Sequence, residues 1–390
     1  MSKRHLNAAF DSKQFLAQYW QKKPVLLSKF IPDFSDSLTP EELAGLACEE
    51  LVESRLVIEP EPGQWQLRHG PFEDSDFTQL PESNWTLLVQ AVDQWVEDVA
   101  DIKTLFNFLP SWRIDDIMIS FAAQGGSVGP HYDYYDVFLL QGQGERSWKI
   151  GDRCDSDAKL VSGEDLSLLQ NFEATTEFNL TAGDALYVPP RFPHWGTATS
   201  DSLCYSIGFR APSLAEMIEG FSDFIIKDQD PAQRYEDSEL QGELRSAEIR
   251  PELLDASYRQ LTERLAQKQD FAGWFGCYVS QPKYPELIQP LDDELSPEDF
   301  SALLSDGVQL TKNPSSRFAF MESTARDCVL LFADGAMVSF SMKQLSNIVA
   351  FCEASEIVPG TSSELLADRE IAELLRRLLN QGSLLACPSH

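Results

Sequence analysis

The sequence predicts an α+β protein with an antiparallel β sandwich or barrel at its centre, helices before and after it, and a smaller mixed module at the C-terminal end. Three observations carry this. Between Trp112 and Pro212 the apolar residues fall into short extended runs, RIDDIMISFAA, YDVFLLQ, ERSWKIG, TEFNLT, DALYVPP and LCYSIGFRAP, separated by Gly, Pro, Asn and Asp. On either side the apolar spacing turns to three and four, with helix-start signals. Near Leu295 the pattern changes again, to a capped helix, a hairpin and two more helices.

The first hundred residues read as mostly helical with short extended pieces. FLAQYWQKKPVLL gives an amphipathic segment and then a Pro-led strand, and SLTPEELAGLACEEL opens a helix with Pro at its first position and acids in its first turn. WTLLVQAVDQWVEDVADIKTLFNFL has the spacing of a long helix. After the β region, SLAEMIEGF carries a capping box, Ser213 with Glu216, and a second helix is expected from about Glu252 to Lys268. The polar, acidic stretch KDQDPAQRYEDSELQGELRS reads as a loop. The last region starts at Ser296-Pro297-Glu298-Asp299 and continues through RFAFME, then CVLLF and MVSF joined by Ala333-Asp334-Gly335-Ala336. It closes with the helices MKQLSNIVAFCEA and SSELLADREIAELLRRLLNQG, an order that resembles a winged-helix module.

Composition narrows the function classes. The chain has 390 residues, 43% hydrophobic and 11% aromatic, the profile of a folded protein of two or three domains. No apolar h-region opens it and no window approaches a membrane span, so a soluble, cytoplasmic protein with no membrane partner is expected. Its seven cysteines lack C-x-x-C spacing, which argues for reduced thiols and against a structural zinc. The formal charge of −31 repels phosphates and favours a basic protein partner. From Glu286 onward 16 acids face 7 Lys and Arg, so direct DNA binding by the winged-helix-like part is not expected.

The chemistry concentrates around GPHYDYYDVFLLQGQGERSWKIG. With 5 His and 62 acids among 390 residues, roughly 0.8 His-x-acid tripeptides are expected by chance, so His131-Tyr132-Asp133 is weak evidence alone. On a strand starting as early as His131, His131, Asp133 and Tyr135 share one side and offer a metal two neighbouring ligands. His5 and His390 are terminal and His69 lies among charges, which leaves His194 as the third ligand. In LTAGDALYVPPRFPHWG a turn, an apolar strand and a Pro-Pro stop deliver His194 toward the mouth of a barrel. Two imidazoles and one carboxylate with open positions form the facial triad of non-haem Fe(II) oxygenases.

Strand parity in ERSWKIG puts Arg146 on the inward face with Trp148 and Ile150. A cation there needs an anion, and a bound dicarboxylate suits the bidentate guanidinium; the bland alternative is a rim arginine paired with one of the many acids. In RIDDIMISF the same parity groups Asp116, Met118 and Ser120. Provided that Ile117, Ile119 and Phe121 pack outward, Ser120 can bond a ligand carboxylate and Asp116 can meet a cationic substrate. Tyr135 and Ser206 complete the candidate substrate contacts.

These segments, with FLAQYWQKKPVLL and SRLVIEP…WQLRHGPFE…WTLLVQAVDQW, resemble the JmjC-type, cupin-related 2-oxoglutarate oxygenases over about residues 10 to 225. More narrowly they resemble the bacterial ribosomal oxygenases that hydroxylate an arginine of protein sixteen of the large ribosomal subunit. The resemblance implies a double-stranded β-helix core at about 112–211 within a catalytic domain of residues 1–211. It further implies a helical homodimerisation region at 212–285 and a winged-helix-like domain at 286–390. It implies Fe(II) on His131, Asp133 and His194, 2-oxoglutarate on Arg146 and Ser120, O2 as co-substrate and a basic ribosomal protein as substrate. Ala182 departs from the family, which more often has Pro before Gly-Asp. Most JmjC relatives hold the co-substrate with Lys, so Arg146 favours the ribosomal branch. The alternatives are the same chemistry on another basic protein, as histidine hydroxylation or demethylation, and a non-catalytic metal-binding cupin.

Overall fold

The structure is a computed structural model describing residues 4–154, 158–161, 166–236, 241–242, 245–324, 326–354, 356–358 and 366–387. The expected start of the last helix at Ser362, part of the acidic loop and His390 lie outside these residues. The chain divides into two units, 1–211 and 212–390.

In the first unit α1 (Ser12–Gln18) begins where the Asp11 carboxylate accepts from the backbone of Lys13 and Gln14. β1 (Val25–Leu27) follows, then α2 (Pro40–Leu46), which carries a complete Thr39–Glu42 capping box and Pro at its start. The helical reading of the next stretch fails. β2 (Ser54–Glu61) and β3 (Gln64–His69) form a hairpin, and after α3 (Asp74–Thr78) the segment WTLLV is a strand, β4 (Trp85–Val89). The expected long helix is thus a strand followed by a left-handed residue, Ala91 (φ 51°), short 3-10 turns and α4 (Glu97–Ala100). A five-residue apolar run has no decisive period, and β4 finds ladder partners on both sides, in β2 and the following strand.

The β region contains β5 (Ile114–Ala122), β6 (Val137–Gln141), β7 (Arg146–Ile150), β8 (Thr176–Leu180), β9 (Ala185–Val188), β10 (His194–Ala198) and β11 (Ser202–Phe209). All pair antiparallel, in an eight-stranded sheet of order β1-β9-β6-β11-β5-β4-β2-β3 and a three-stranded sheet β10-β7-β8. Alternation assigns the faces. Ile117, Ile119, Phe138, Tyr187 and Ile207 pack with Phe15, Phe30 and Phe106 in the larger core, each aromatic contributing about 1.5–3 kcal/mol by burial. Val137, Leu139, Leu186, Val188 and Cys204 point the other way, against Trp148, Ile150 and Leu180 of the small sheet, and form the barrel interior. The turn at Ala182 keeps its shape without proline: Gly183 adopts φ 85° and Asp184 accepts from Lys29 N and Thr181 N.

The second unit opens with α5 (Leu214–Lys227), whose Ser213–Glu216 capping box is formed as expected. α6 (Pro251–Leu265) matches the second expected helix; α7 (Lys268–Val279) was not foreseen. Gly276 of α7 lies against the Phe332 ring, where a Cβ would come within 2.2 Å of it. After α8 (Pro297–Ser305) come β12 (Gln309–Lys312), β13 (Phe318–Ser323), β14 (Cys328–Ala333) and β15 (Ala336–Ser341). β14 and β15 turn on Asp334 and Gly335, both at positive φ, as a two-residue hairpin requires. α9 (Leu345–Glu353), β16 (Glu356–Ile357), α10 (Arg369–Asn380) and β17 (Leu384–Cys387) complete the chain. The sheet β16-β12-β17 escaped the sequence reading because strands of two to four residues display almost no period.

Candidate metal centre

His131 does not lie on a strand: β6 starts only at Val137. Gly129 turns the chain at φ 78°, and His131 then pairs with His194 through N–H···O bonds of 3.1 and 2.8 Å in both directions. His194 is the first residue of β10, so it sits in a strand rather than after one. This two-way bridge sets the rings side by side, centroids 4.3 Å apart. Asp133 is fixed by its own backbone, its carbonyl accepting from Arg191 N at 2.7 Å.

One ligand atom each from His131, Asp133 and His194 lies within 4.8 Å of the others, with His194 Nε2 3.7 Å from Asp133 Oδ2. His131 Nδ1 is 3.0 Å from the Gly129 carbonyl and His194 Nδ1 3.1 Å from that of Phe192. Each Nδ1 therefore carries the proton, leaving Nε2 with its lone pair free for a cation. Burial, and then the neighbouring His131, pulls the pKa of His194 down to about 4, so the ring is neutral at physiological pH. The donor set fits a divalent metal that accepts nitrogen and oxygen, with a slight contraction to bring the ligands to about 2.1 Å from it.

Arg146 faces inward as parity required, and no acid meets it among the described residues. Its Nε donates to Ser202 Oγ (2.9 Å), Nη1 to Ser120 Oγ (2.9 Å), and Nη2 to the carbonyls of Ser120 and Ser202 (3.0 and 3.1 Å). Burial lowers its pKa, the mark of a cation held away from water without a counter-charge. Four neutral acceptors orient the guanidinium and leave its charge for an incoming anion. Ser120 is buried and touches this arginine, while Ile117 and Ile119 pack into the outer core, as the parity reading supposed.

Asp116 is buried two rungs from Ser120 and accepts from Gln90 Nε2 at 2.8 Å. Ser206 is half-buried on β11, opposite Met118 of β5 and Leu139 of β6. The Tyr135 ring is exposed, but its hydroxyl bonds Asp133, and desolvation of that end together with the neighbouring carboxylate raises its pKa. Gly208 lies between them: a Cβ there would be 3.9 Å from Asp116 Oδ1 and 4.0 Å from the Tyr135 ring. The structure thus brings Asp116, Tyr135 and Ser206 to one end of the inner face that carries Ser120.

Residues 101–217 match the JmjC domain and residues 263–385 the ROXA-like winged helix. The chain is 41% identical to the ribosomal protein uL16 3-hydroxylase of Escherichia coli over 76% of its own length and 79% of that protein's. It belongs to the JmjC-type ribosomal oxygenases. The Haemophilus influenzae protein named probable ribosomal oxygenase is 33% identical over 82% of this chain and 80% of its own. The structure of the E. coli ribosomal oxygenase YcfD in complex with cobalt and 2-oxoglutarate superposes with a TM-score of 0.86 at 35% identity, covering 98% of this chain and 99% of that one.

Two features of this oxygenase were missed from sequence. Ser202 holds the arginine as firmly as Ser120 does, and parity in SLCYSIGF, where Ser202, Cys204 and Ser206 share a face, was the available signal. Ser127, which accepts from Trp195 Nε1 at 2.9 Å and donates to the Gly196 carbonyl at 2.6 Å, ties β10 to the loop before His131. A lone serine in a glycine-rich loop gives no sequence signal for that role.

Proposed function

We propose that this ribosomal oxygenase is an Fe(II)- and 2-oxoglutarate-dependent hydroxylase acting on an arginine side chain of ribosomal protein uL16. The observation that carries the reading is a metal-competent His131-Asp133-His194 cluster that shares a barrel interior with a buried, anion-free arginine. When bound, iron and 2-oxoglutarate supply the activation of O2 and insertion of one oxygen atom into a carbon–hydrogen bond, with succinate and carbon dioxide as products.

In this account His131, Asp133 and His194 hold the metal through Nε2, a carboxylate oxygen and Nε2. Arg146 and Ser120 bind the distal carboxylate of the co-substrate, and Ser202 holds the guanidinium in the plane that meets it. Asp116, Tyr135 and Ser206 receive the substrate side chain. Asp116 supplies the charge for a guanidinium, and Gln90 fixes its carboxylate so that little reorganisation accompanies binding. The Tyr135 hydroxyl holds Asp133, which aligns substrate pocket and metal. The charge of −31 draws a basic ribosomal protein to the enzyme.

Residues 1–211 form the catalytic domain in this reading, 212–285 the dimerisation region and 286–390 the winged-helix-like domain, used for protein contact rather than DNA. Homodimerisation has support in α6, none of whose residues is fully buried among the described residues and which exposes Leu254, Tyr258, Leu261 and Leu265 at helical spacing, Tyr258 by 68%. A cytoplasmic site of action follows from a ribosomal substrate; no described helix is long and apolar enough to cross a membrane. The test is incubation of uL16 with enzyme, Fe(II) and 2-oxoglutarate, with the modified residue read by fragmentation mass spectrometry. Gain of one oxygen on an arginine is expected, and an unmodified protein would overturn the proposal.

A further inference from the structure

We propose that the indole N–H of Trp148 donates a hydrogen bond to a carboxylate oxygen of the co-substrate, which makes Trp148 a positioning residue beside Arg146. The inference rests on the 2-oxoglutarate reading of this cavity. Trp148 lies on the inward face of β7 between Arg146 and Ile150. Across the ladder to β10 the pairs run Arg146 with Ala198, Trp148 with Gly196 and Ile150 with His194. The indole therefore occupies the rung between the anion-free arginine and the metal ligand, its ring centroid 5.9 Å from that of His194.

Its polar atom is unused. Trp148 is 5% exposed, and its Nε1 is buried with no hydrogen-bond partner among the described residues. Indole is a donor only, so nothing but an incoming acceptor can satisfy it. The strand opposite makes room for the ring: a Cβ at Gly196 would lie 2.7–2.8 Å from its Cη2, Cζ3 and Cζ2 atoms, so only glycine fits beneath it. An apolar ring of similar size would fill this space without leaving an orphan donor.

The donor count at Arg146 points the same way. Of five guanidinium N–H groups, four are directed at Ser120 and Ser202, which leaves one on Nη1 for a ligand. A carboxylate offers about four acceptor sites and binds tightly when several are filled. Ser120 Oγ accepts from Arg146 and lies 3.5 Å from the Cys204 carbonyl, so the Trp148 N–H, one rung along β7, is the buried donor left without a partner among the described residues.

The test is calorimetric titration of 2-oxoglutarate into the full-length protein loaded with Mn(II), comparing wild type with Trp148→Phe. Loss of a hydrogen bond to a charged acceptor should raise the dissociation constant about ten- to a hundredfold, with Mn(II) affinity and the melting temperature of the ligand-free protein unchanged. Site-specific replacement of Trp148 by benzothienylalanine, which keeps the fused ring and puts sulfur in place of N–H, should give the same loss and guards against a packing defect in the phenylalanine variant. An unchanged 2-oxoglutarate affinity in the benzothienyl protein would overturn the assignment, as would a weakening matched by equal loss of Mn(II). Failure of the wild type itself to bind 2-oxoglutarate would instead overturn the underlying reading of the cavity, and the assignment with it.

Discussion

Arg146 Nη1 donates to Ser120 Oγ at 2.9 Å, inside a barrel where neither residue meets an acid among the described residues. An arginine held only by neutral acceptors is a strong binding group and a weak structural one. Without its anion it costs stability, and with it the cost is recovered. Replacement of Arg146 by Met should therefore leave the melting temperature of the ligand-free protein unchanged or raised. It should weaken 2-oxoglutarate binding to the Mn(II) form by more than about a hundredfold. Thermal melts with and without 2-oxoglutarate check both halves: a ligand present at 100 times its dissociation constant should stabilise the wild type by about 2.7 kcal/mol and the variant hardly at all.

The metal ligands behave differently from their supports. His131→Ala and His194→Ala should each lower Mn(II) affinity by more than about a hundredfold, since each removes one of three donors. Asp133→Asn keeps the shape but loses the charge and should fall between these and wild type. Equilibrium dialysis of the metal measures all three, and retention of full affinity by the His131 variant would remove the cluster from consideration.

The outer core of the first unit contains an ion pair between a half-buried arginine, Arg113, and a buried aspartate, Asp136. Asp136 is fully buried and accepts from Tyr187 Oη (2.6 Å), Gln21 Nε2 (3.0 Å) and Arg113 Nη2 (3.1 Å). Asp136→Ala strands Arg113 against Trp20 and should destabilise the domain by about 3–5 kcal/mol, read as a lower denaturant midpoint. Tyr187→Phe removes the bond to Asp136 and the one its hydroxyl accepts from Gln21 N (2.7 Å) and should cost about 1–3 kcal/mol.

In the second unit Lys312 donates to the Cys352 carbonyl at 2.7 Å between the rings of Phe318 and Phe351. Burial draws its pKa down from 10.5 to about 8. Its folded pKa lies below its unfolded one, so the stability it contributes is complete above pH 10.5 and is lost as pH falls through about 8. The difference in denaturant midpoint between wild type and Lys312→Met should shift in favour of wild type as pH rises across that window. A difference independent of pH would show that Lys312 titrates normally.

The apolar stripe on α6 has its own readout. Tyr258→Asp with Leu261→Asp should convert a homodimer into a monomer in light scattering, with metal affinity retained. A wild-type monomer at micromolar concentration would dismiss the dimer.

Legibility from sequence followed the physics of each element. The five-residue alternation from Arg146 through Ile150 and the apolar periods of α5 and α10 are long enough to speak for themselves, and the arginine's inward direction is readable from its neighbours alone. WTLLV differs from its helical expectation because a short, mostly apolar run fits helix and strand alike until its ladder partners are known. The condition that the strand starts as early as His131 is not met, since β6 begins six residues later; the position of His131 comes from a two-residue bridge to His194, sixty-three residues away, and no local pattern encodes such a pairing. The same holds for Ser202 on Arg146 and Gln90 on Asp116, contacts made by tertiary register.

The His131-Asp133-His194 cluster and Arg146 are proposed together to make a 2-oxoglutarate-dependent hydroxylase of a ribosomal protein arginine. The most direct test is mass spectrometry of uL16 after incubation with Fe(II), 2-oxoglutarate and either wild-type enzyme or His131→Ala. One added oxygen on a single arginine is expected with the wild type and none with the variant. An unmodified protein in both samples, or equal modification by both, would contradict it.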